Sequence, residues 1–88
     1  MKVAFRKSFE RDLKKIKDPS VLNRIKQVVR QTEEANNLQE MSNVKKLSGT
    51  DHFFRMRIGE HRIGISLADD ELEFIRCLHR RDMYRYFP

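Results

Sequence analysis

The sequence predicts an α+β fold in which a small, antiparallel-rich sheet carries an N-terminal helical hairpin packed on one face. Three observations predict it. Two strand-length runs in the C-terminal third alternate apolar residues with cationic, small or polar ones at the two-residue period of a strand, two stretches ahead of them repeat apolar residues at helical spacing, and a short alternating run opens the chain. The order strand, two helices, three strands places helices on a sheet face. With 88 residues, the chain has the length of one domain, residues 1–88. A domain of this size buries only about 60% of its unfolded surface, so its core is small.

Lys2 to Arg6 alternates, with Val3 and Phe5 on one face and Lys2, Ala4 and Arg6 on the other, as in a half-buried strand. Ser8 is placed to cap a helix whose apolar stripe is Phe9, Leu13 and Ile16. Lys14, Lys15 and Lys17 gather near its C-terminal end, where cations suit the helix dipole. Asp18-Pro19-Ser20 breaks the pattern, with Asp18 as the next cap and Pro19 at a first helical position, where a missing N–H costs nothing. Val21, Leu22, Ile25, Val28 and Val29 then repeat at helical spacing to about Ala35, and Asn36-Asn37 ends the helix in a left-handed cap. Leu38 to Ser42 suggests one helical turn, Val44 to Leu47 is too short to assign, and Ser48-Gly49-Thr50-Asp51 is a turn by composition.

In the first C-terminal strand Phe54, Met56 and Ile58 share the apolar face, and Phe53, Arg55 and Arg57 share the other. Gly59-Glu60 supplies a tight turn. The next strand repeats the division, with Ile63, Ile65 and Leu67 opposed to Arg62, Gly64 and Ser66, so antiparallel pairing gathers Arg55, Arg57 and Arg62 on one side. After a turn at Asp69-Asp70, the last strand runs from Glu71 or Leu72 to about His79 with apolar residues at both parities. Burial on both faces or a β-bulge resolves that conflict. The expected core is Val3, Phe5, Phe9, Leu13, Ile16, Leu22, Ile25, Val29, Phe54, Met56, Ile63 and Ile65.

Nineteen Lys and Arg against 13 acids give a net charge of +6, which favours a polyanion or an acidic protein as partner. The single Cys77 excludes an internal disulfide and sits in an apolar strand as a small hydrophobe. His52, His61 and His79 are not at metal-ligand spacing, so no metal and no cofactor are expected. No apolar run approaches a membrane span, and the N terminus lacks the apolar region of a signal peptide, so a cytoplasmic protein is expected. Neither a phosphate-binding glycine loop nor a Ser-His-Asp order is present.

The basic residues carry the functional signal. Arg55, Arg57 and Arg62, with Arg80, Arg81 and Tyr84 arriving after the last strand, have the planar forks that bind phosphate. The bland alternative is a solvated basic face paired with Glu60, Asp69, Asp70 and Glu71. If the anion is RNA, attack of a 2′-hydroxyl on its own phosphate needs a base, charge stabilisation at phosphorus and a proton for the leaving oxygen. Arginine stabilises charge but does not serve as a base. Tyr84, His79 and His61 are the proton-transfer candidates, each with an ordinary surface role as its alternative.

Phe54-Arg55-Met56-Arg57-Ile58-Gly59-Glu60-His61-Arg62-Ile63, Lys46-Leu47-Ser48-Gly49 and the tail His79-Arg80-Arg81-Asp82-Met83-Tyr84-Arg85 stand in an order that resembles the RelE/ParE superfamily of toxins from type II toxin–antitoxin modules. The resemblance runs over nearly the whole chain. It implies a RelE-like fold and a ribosome-dependent mRNA endonuclease (mRNA interferase) that inhibits translation. Carried over, it makes Arg62, Arg80 and Tyr84 catalytic and Arg55, Arg57 and Arg81 RNA-binding, with Arg55 and Arg57 replacing the lysines of another version of the pattern. The base is then Tyr84, Tyr86 or a histidine. The implied partners are a cognate antitoxin, seated in an apolar groove, the ribosome with its mRNA, and operator DNA only as the toxin–antitoxin complex, with no membrane. The ParE-like branch, which has the same fold and poisons gyrase without cutting RNA, is the alternative; a binding module without chemistry is a third.

Overall fold

Alternation and helical stripes fold here into one five-stranded sheet with helices against it. The computed structural model describes residues 1–88. The elements are β1 (Lys2–Phe5), α1 (Lys7–Lys14), α2 (Pro19–Glu34), a single 3-10 turn at Leu38–Glu40, β2 (Val44–Lys46), β3 (Phe53–Ile58), β4 (His61–Ala68), β5 (Glu71–His79) and α3 (Arg80–Tyr86). The strand order is β1-β5-β4-β3-β2, with β1 parallel to β5 and every other pair antiparallel.

The β3–β4 hairpin has the predicted register about Gly59, whose φ of 57° is the left-handed conformation that glycine adopts freely. Met56, Ile58, Ile63 and Ile65 are buried beneath α1 and α2 with Phe9, Ile25, Leu72, Phe74 and Cys77. Phe5, Phe9 and Phe74 pack together, Phe5 and Phe74 stacked at 5.2 Å. Phe5 lies at the open edge of β1 and stays 44% exposed, so it lines the core without entering it. Leu22 is only half-buried and lies outside the cluster, whereas Thr32 is fully buried, its hydroxyl donating to the Val28 carbonyl at 2.7 Å. The buried face of α2 therefore turns toward Val21, Ile25 and Thr32.

In β5 the two-sided apolar pattern is resolved by a bulge. Ile63 faces Cys77 and Gly64 faces Arg76, but Ile65 faces Phe74, so Ile75 is the extra residue. The slip puts Leu72, Phe74 and Cys77 into the main core and sends Ile75 to the opposite face, where it packs with Met83 and Phe87. That second cluster seats α3, an element the sequence left as a tail.

Two caps differ from expectation. Asp18 does cap α2, accepting from the Ser20 N–H at 2.9 Å ahead of Pro19. Ser8 does not cap α1: the cap position is Arg6, and the Ser8 hydroxyl donates instead to the Ile75 carbonyl at 2.6 Å, fastening the helix to β5. Nor does Asn36-Asn37 adopt a left-handed cap, because α2 ends at Ala35 in extended backbone and its last carbonyls are met by the chain's own ammonium, which donates to Glu33 and Ala35. Asp69 and Asp70 take positive φ and close the β4–β5 turn as predicted.

Asp12, 5% exposed, is the one buried carboxylate of α1. It accepts from Arg76 Nε at 2.7 Å, from Arg76 Nη2 at 3.1 Å and from the Cys77 N–H at 2.9 Å. These bonds satisfy the β5 backbone where the bulge has disturbed the ladder. They also raise the Arg76 pKa. Burial, with the Asp12 charge, pushes the Cys77 thiol up to about 12, which removes it as a nucleophile.

Candidate functional site

β3 and β4 place their arginines by register. Arg57 is directly opposite Arg62, and Arg55 is opposite Gly64. Residues so opposed project from the same sheet face, and here it is the face away from α1 and α2. Gly64 leaves a gap into which the Phe87 ring settles: a Cβ there would stand 2.6 Å from it. Phe87 and Met83 thereby hold α3 against this face, and α3 brings Arg80, Arg81 and Tyr84 alongside the strand arginines.

The result is an open cavity of about 400 Å³ lined by Arg55, Arg62, Arg80, Arg81, Met83 and Tyr84. Five of the six predicted catalytic and RNA-binding residues therefore meet in one place. The sixth, Arg57, lines an adjoining cavity of about 430 Å³ that shares Arg55 and Arg62. Tyr84 is 78% exposed, and its ring lies 5.0 Å from Arg55 Cζ in cation–π contact. Arg62 is oriented by the turn: its Nη1 donates to the Gly59 carbonyl at 2.7 Å and the His61 carbonyl at 2.9 Å.

Charge separates the two readings of the basic face. Arg6, Arg76 and Lys2 have carboxylate partners elsewhere, and Arg80 pairs with Glu60 at 3.0 Å. Arg55, Arg57, Arg62 and Arg81 have none within 4.0 Å. Asp69, Asp70 and Glu71 sit at the far end of the β4–β5 hairpin, and Glu71 pairs with Lys2. The face is thus not neutralised from within. The Arg80–Glu60 pair is exposed on both sides and worth under about 1 kcal/mol, so it offers little resistance to a phosphate that enters beside Arg80.

The histidines lie elsewhere. His61 and His79 are cross-strand partners whose rings meet at 5.9 Å, and they line a cavity on the α1 side with Asp12, Arg76 and Asp82. His79 Nδ1 accepts from the Arg81 N–H at 3.2 Å, capping α3, and its Nε2 is 4.0 Å from Glu60. Desolvation first and the neighbouring His79 second lower the His61 pKa. Tyr86 lines this second cavity too, so of the two tyrosines only Tyr84 lines the cavity of Arg55, Arg62, Arg80 and Arg81.

Sequence reading missed one member of the cationic face. Lys45 on β2 is directly opposite Arg55 and lines the adjoining cavity with it. The signal was present only as a three-residue strand, which acquires its face from pairing with β3.

The family "ParE toxin of type II toxin-antitoxin system, parDE" matches residues 3–84, from β1 into α3. Toxin RelE3 of Methanocaldococcus jannaschii is 38% identical over 89 residues, covering 100% of each chain. The crystal structure of a RelB–RelE antitoxin–toxin complex from Methanococcus jannaschii matches with a TM-score of 0.82 and 36% identity, over 96% of this chain and 98% of that one. An archaeal RelE–RelB complex from Pyrococcus horikoshii shares the fold at a TM-score of 0.71 and 23% identity, over 90% and 93% of the two chains. No helix is long and apolar enough to cross a membrane.

Proposed function

Because this chain belongs to the RelE/ParE superfamily of toxins from type II toxin–antitoxin systems, we propose that it is a ribosome-dependent mRNA endonuclease acting in the cytoplasm. The observation that carries the reading is the convergence of Arg55, Arg62, Arg80, Arg81 and Tyr84 on one cavity whose strand arginines have no acidic partner. Arg62 and Arg80 stabilise charge on the scissile phosphate as the 2′-oxygen attacks, acting as preorganised donors. Arg55, Arg57 and Arg81 hold the flanking backbone. Tyr84 takes the 2′-hydroxyl proton or stacks on a base, a surface that Arg55 steadies. The leaving 5′-oxygen takes its proton from water or from the ribosome, since His61 and His79 line another cavity. The ribosome supplies the in-line geometry of the RNA, a positioning contribution of several kcal/mol. Free RNA is accordingly a poor substrate.

The partner follows from the RelB–RelE relatives: a cognate antitoxin. An apolar groove between α1 and α2, lined by Phe5, Phe9, Leu13, Ile25 and Val29 with Lys26, Arg30, Glu10 and Glu33 on its rim, suits the apolar face of an amphipathic antitoxin segment. The ParE-like alternative, gyrase inhibition without cleavage, has the family description on its side. The two part in one comparison of purified protein on a translating mRNA and on gyrase. Fresh 5′ ends on ribosome-bound mRNA with gyrase unaffected is the expected outcome; intact mRNA with inhibited gyrase replaces this reading with the other.

A further inference from the structure

The cationic face continues past the Tyr84 cavity. Lys45 stands opposite Arg55 and Arg57 stands opposite Arg62, two like-charge pairs on neighbouring registers of one sheet face. Like charges directly opposed across a ladder destabilise the sheet, and no carboxylate lies within 4.0 Å of any of the four. Beside these pairs, Asn43 Nδ2 donates to the Arg57 carbonyl at 2.9 Å, and the Arg57 N–H donates to the Asn43 carbonyl at 2.9 Å, so the point from which the Arg57 side chain departs is fixed. The cavity between them, about 430 Å³, has Val44 as its one apolar wall residue and shares Arg55 and Arg62 with the Tyr84 cavity.

We propose that this second cavity is an anion site for the RNA backbone phosphate next to the scissile one, with Lys45 and Arg57 as the residues that hold it. The inference rests on the reading of this face as an RNA-binding surface and adds a register to it. Two adjoining anion sites that share a wall match two consecutive phosphates of one strand. A lysine at the open edge supplies three rotatable donors to a phosphodiester that arrives from solvent, and Arg57 supplies a planar fork. With almost no apolar wall, the site holds backbone and does not stack a base. Lys45 is thus a positioning residue: it sets which phosphate reaches Arg62 and Arg80.

The test uses uncleavable 2′-O-methyl RNA, a dinucleotide with one phosphate and a trinucleotide with two, titrated by fluorescence anisotropy against the whole protein at several salt concentrations. For the wild type the second phosphate tightens binding about tenfold at low salt, the worth of one charge-assisted contact. In Lys45→Gln or Arg57→Gln that increment falls below about twofold and the trinucleotide salt slope drops by about one; Lys45→Arg restores both, and Lys14→Gln on α1, which covers the opposite sheet face, keeps the increment. An increment that survives in Lys45→Gln overturns the second site. Ribosome assays keep the two ideas apart. Cleavage with a surviving increment removes the site and leaves the nuclease, whereas a Lys45-dependent increment without cleavage leaves the site and removes the nuclease.

Discussion

Among single residues, Tyr84, exposed at the mouth of the cavity, has the most informative chemistry. Its ring contact with Arg55 survives replacement by phenylalanine, but its hydroxyl does not. Tyr84→Phe is expected to lower the single-turnover cleavage rate by about 100-fold or more, the usual worth of a positioned proton acceptor, with ribosome affinity unchanged. Tyr84→Ala is expected to lose affinity as well. Equal rates for Tyr84→Phe and the wild type would move the base elsewhere. His61 makes a different, thermodynamic prediction. Its pKa is lowered in the folded protein, so folding disfavours its charged form. The unfolded chain binds the proton more tightly, and stability therefore rises with pH through the window from the lowered folded value up to the ordinary 6.5. Chemical denaturation at pH 5 and pH 7.5 should show the protein less stable at the lower pH from this source, and His61→Gln should flatten that part of the profile.

At the level of elements, the site depends on how α3 is seated. A methyl at position 64 would stand 2.6 Å from the Phe87 ring, which has β4 beneath it and cannot yield cheaply. Gly64→Ala is expected to cost about 1–3 kcal/mol in denaturant unfolding, and to reduce cleavage further than its stability loss explains, because α3 carries Arg80, Arg81 and Tyr84. Gly64→Ala combined with Phe87→Leu should recover part of both. This dependence explains what was legible beforehand. The strand period of Phe54, Met56, Ile58 and of Ile63, Ile65 predicted both sheet faces, and hence three site arginines, because one buried face fixes register. α3 escaped because its only apolar contacts are Met83 and the following Phe87, a pair four apart that no periodicity distinguishes from a tail. β2 escaped for the opposite reason, its three residues deriving their face wholly from β3. Ser8 misled as a cap because the helix starts one residue before it, at Lys7, which leaves Ser8 inside the first turn with its hydroxyl donating to the Ile75 carbonyl. The bulge at Ile75 was one of two readings the sequence left open, and only pairing with β4 distinguishes it.

For the molecule as a whole, the division of labour between faces is the main result. One face of the sheet carries α1 and α2 and the larger core, and the other carries the arginines, α3 and only a three-residue cluster. The net charge of +6 draws a polyanion to the chain, and the arginines of β3 and β4, which have no carboxylate within 4.0 Å, are free to meet it. In the proposed reaction Arg62 and Arg80 stabilise charge at a scissile phosphate of ribosome-bound mRNA. The most direct measurement is single-turnover cleavage of a defined mRNA on programmed ribosomes, with 5′ ends mapped, for the wild type, Arg62→Ala and Arg80→Ala. One dominant cut is expected for the wild type and rate losses of about 100- to 1000-fold in each variant, on the order of 3 to 4 kcal/mol of transition-state stabilisation, with ribosome binding little changed. Cleavage at wild-type rate by Arg80→Ala and Arg62→Ala, or no cut by the wild type while it still binds ribosomes, would contradict it.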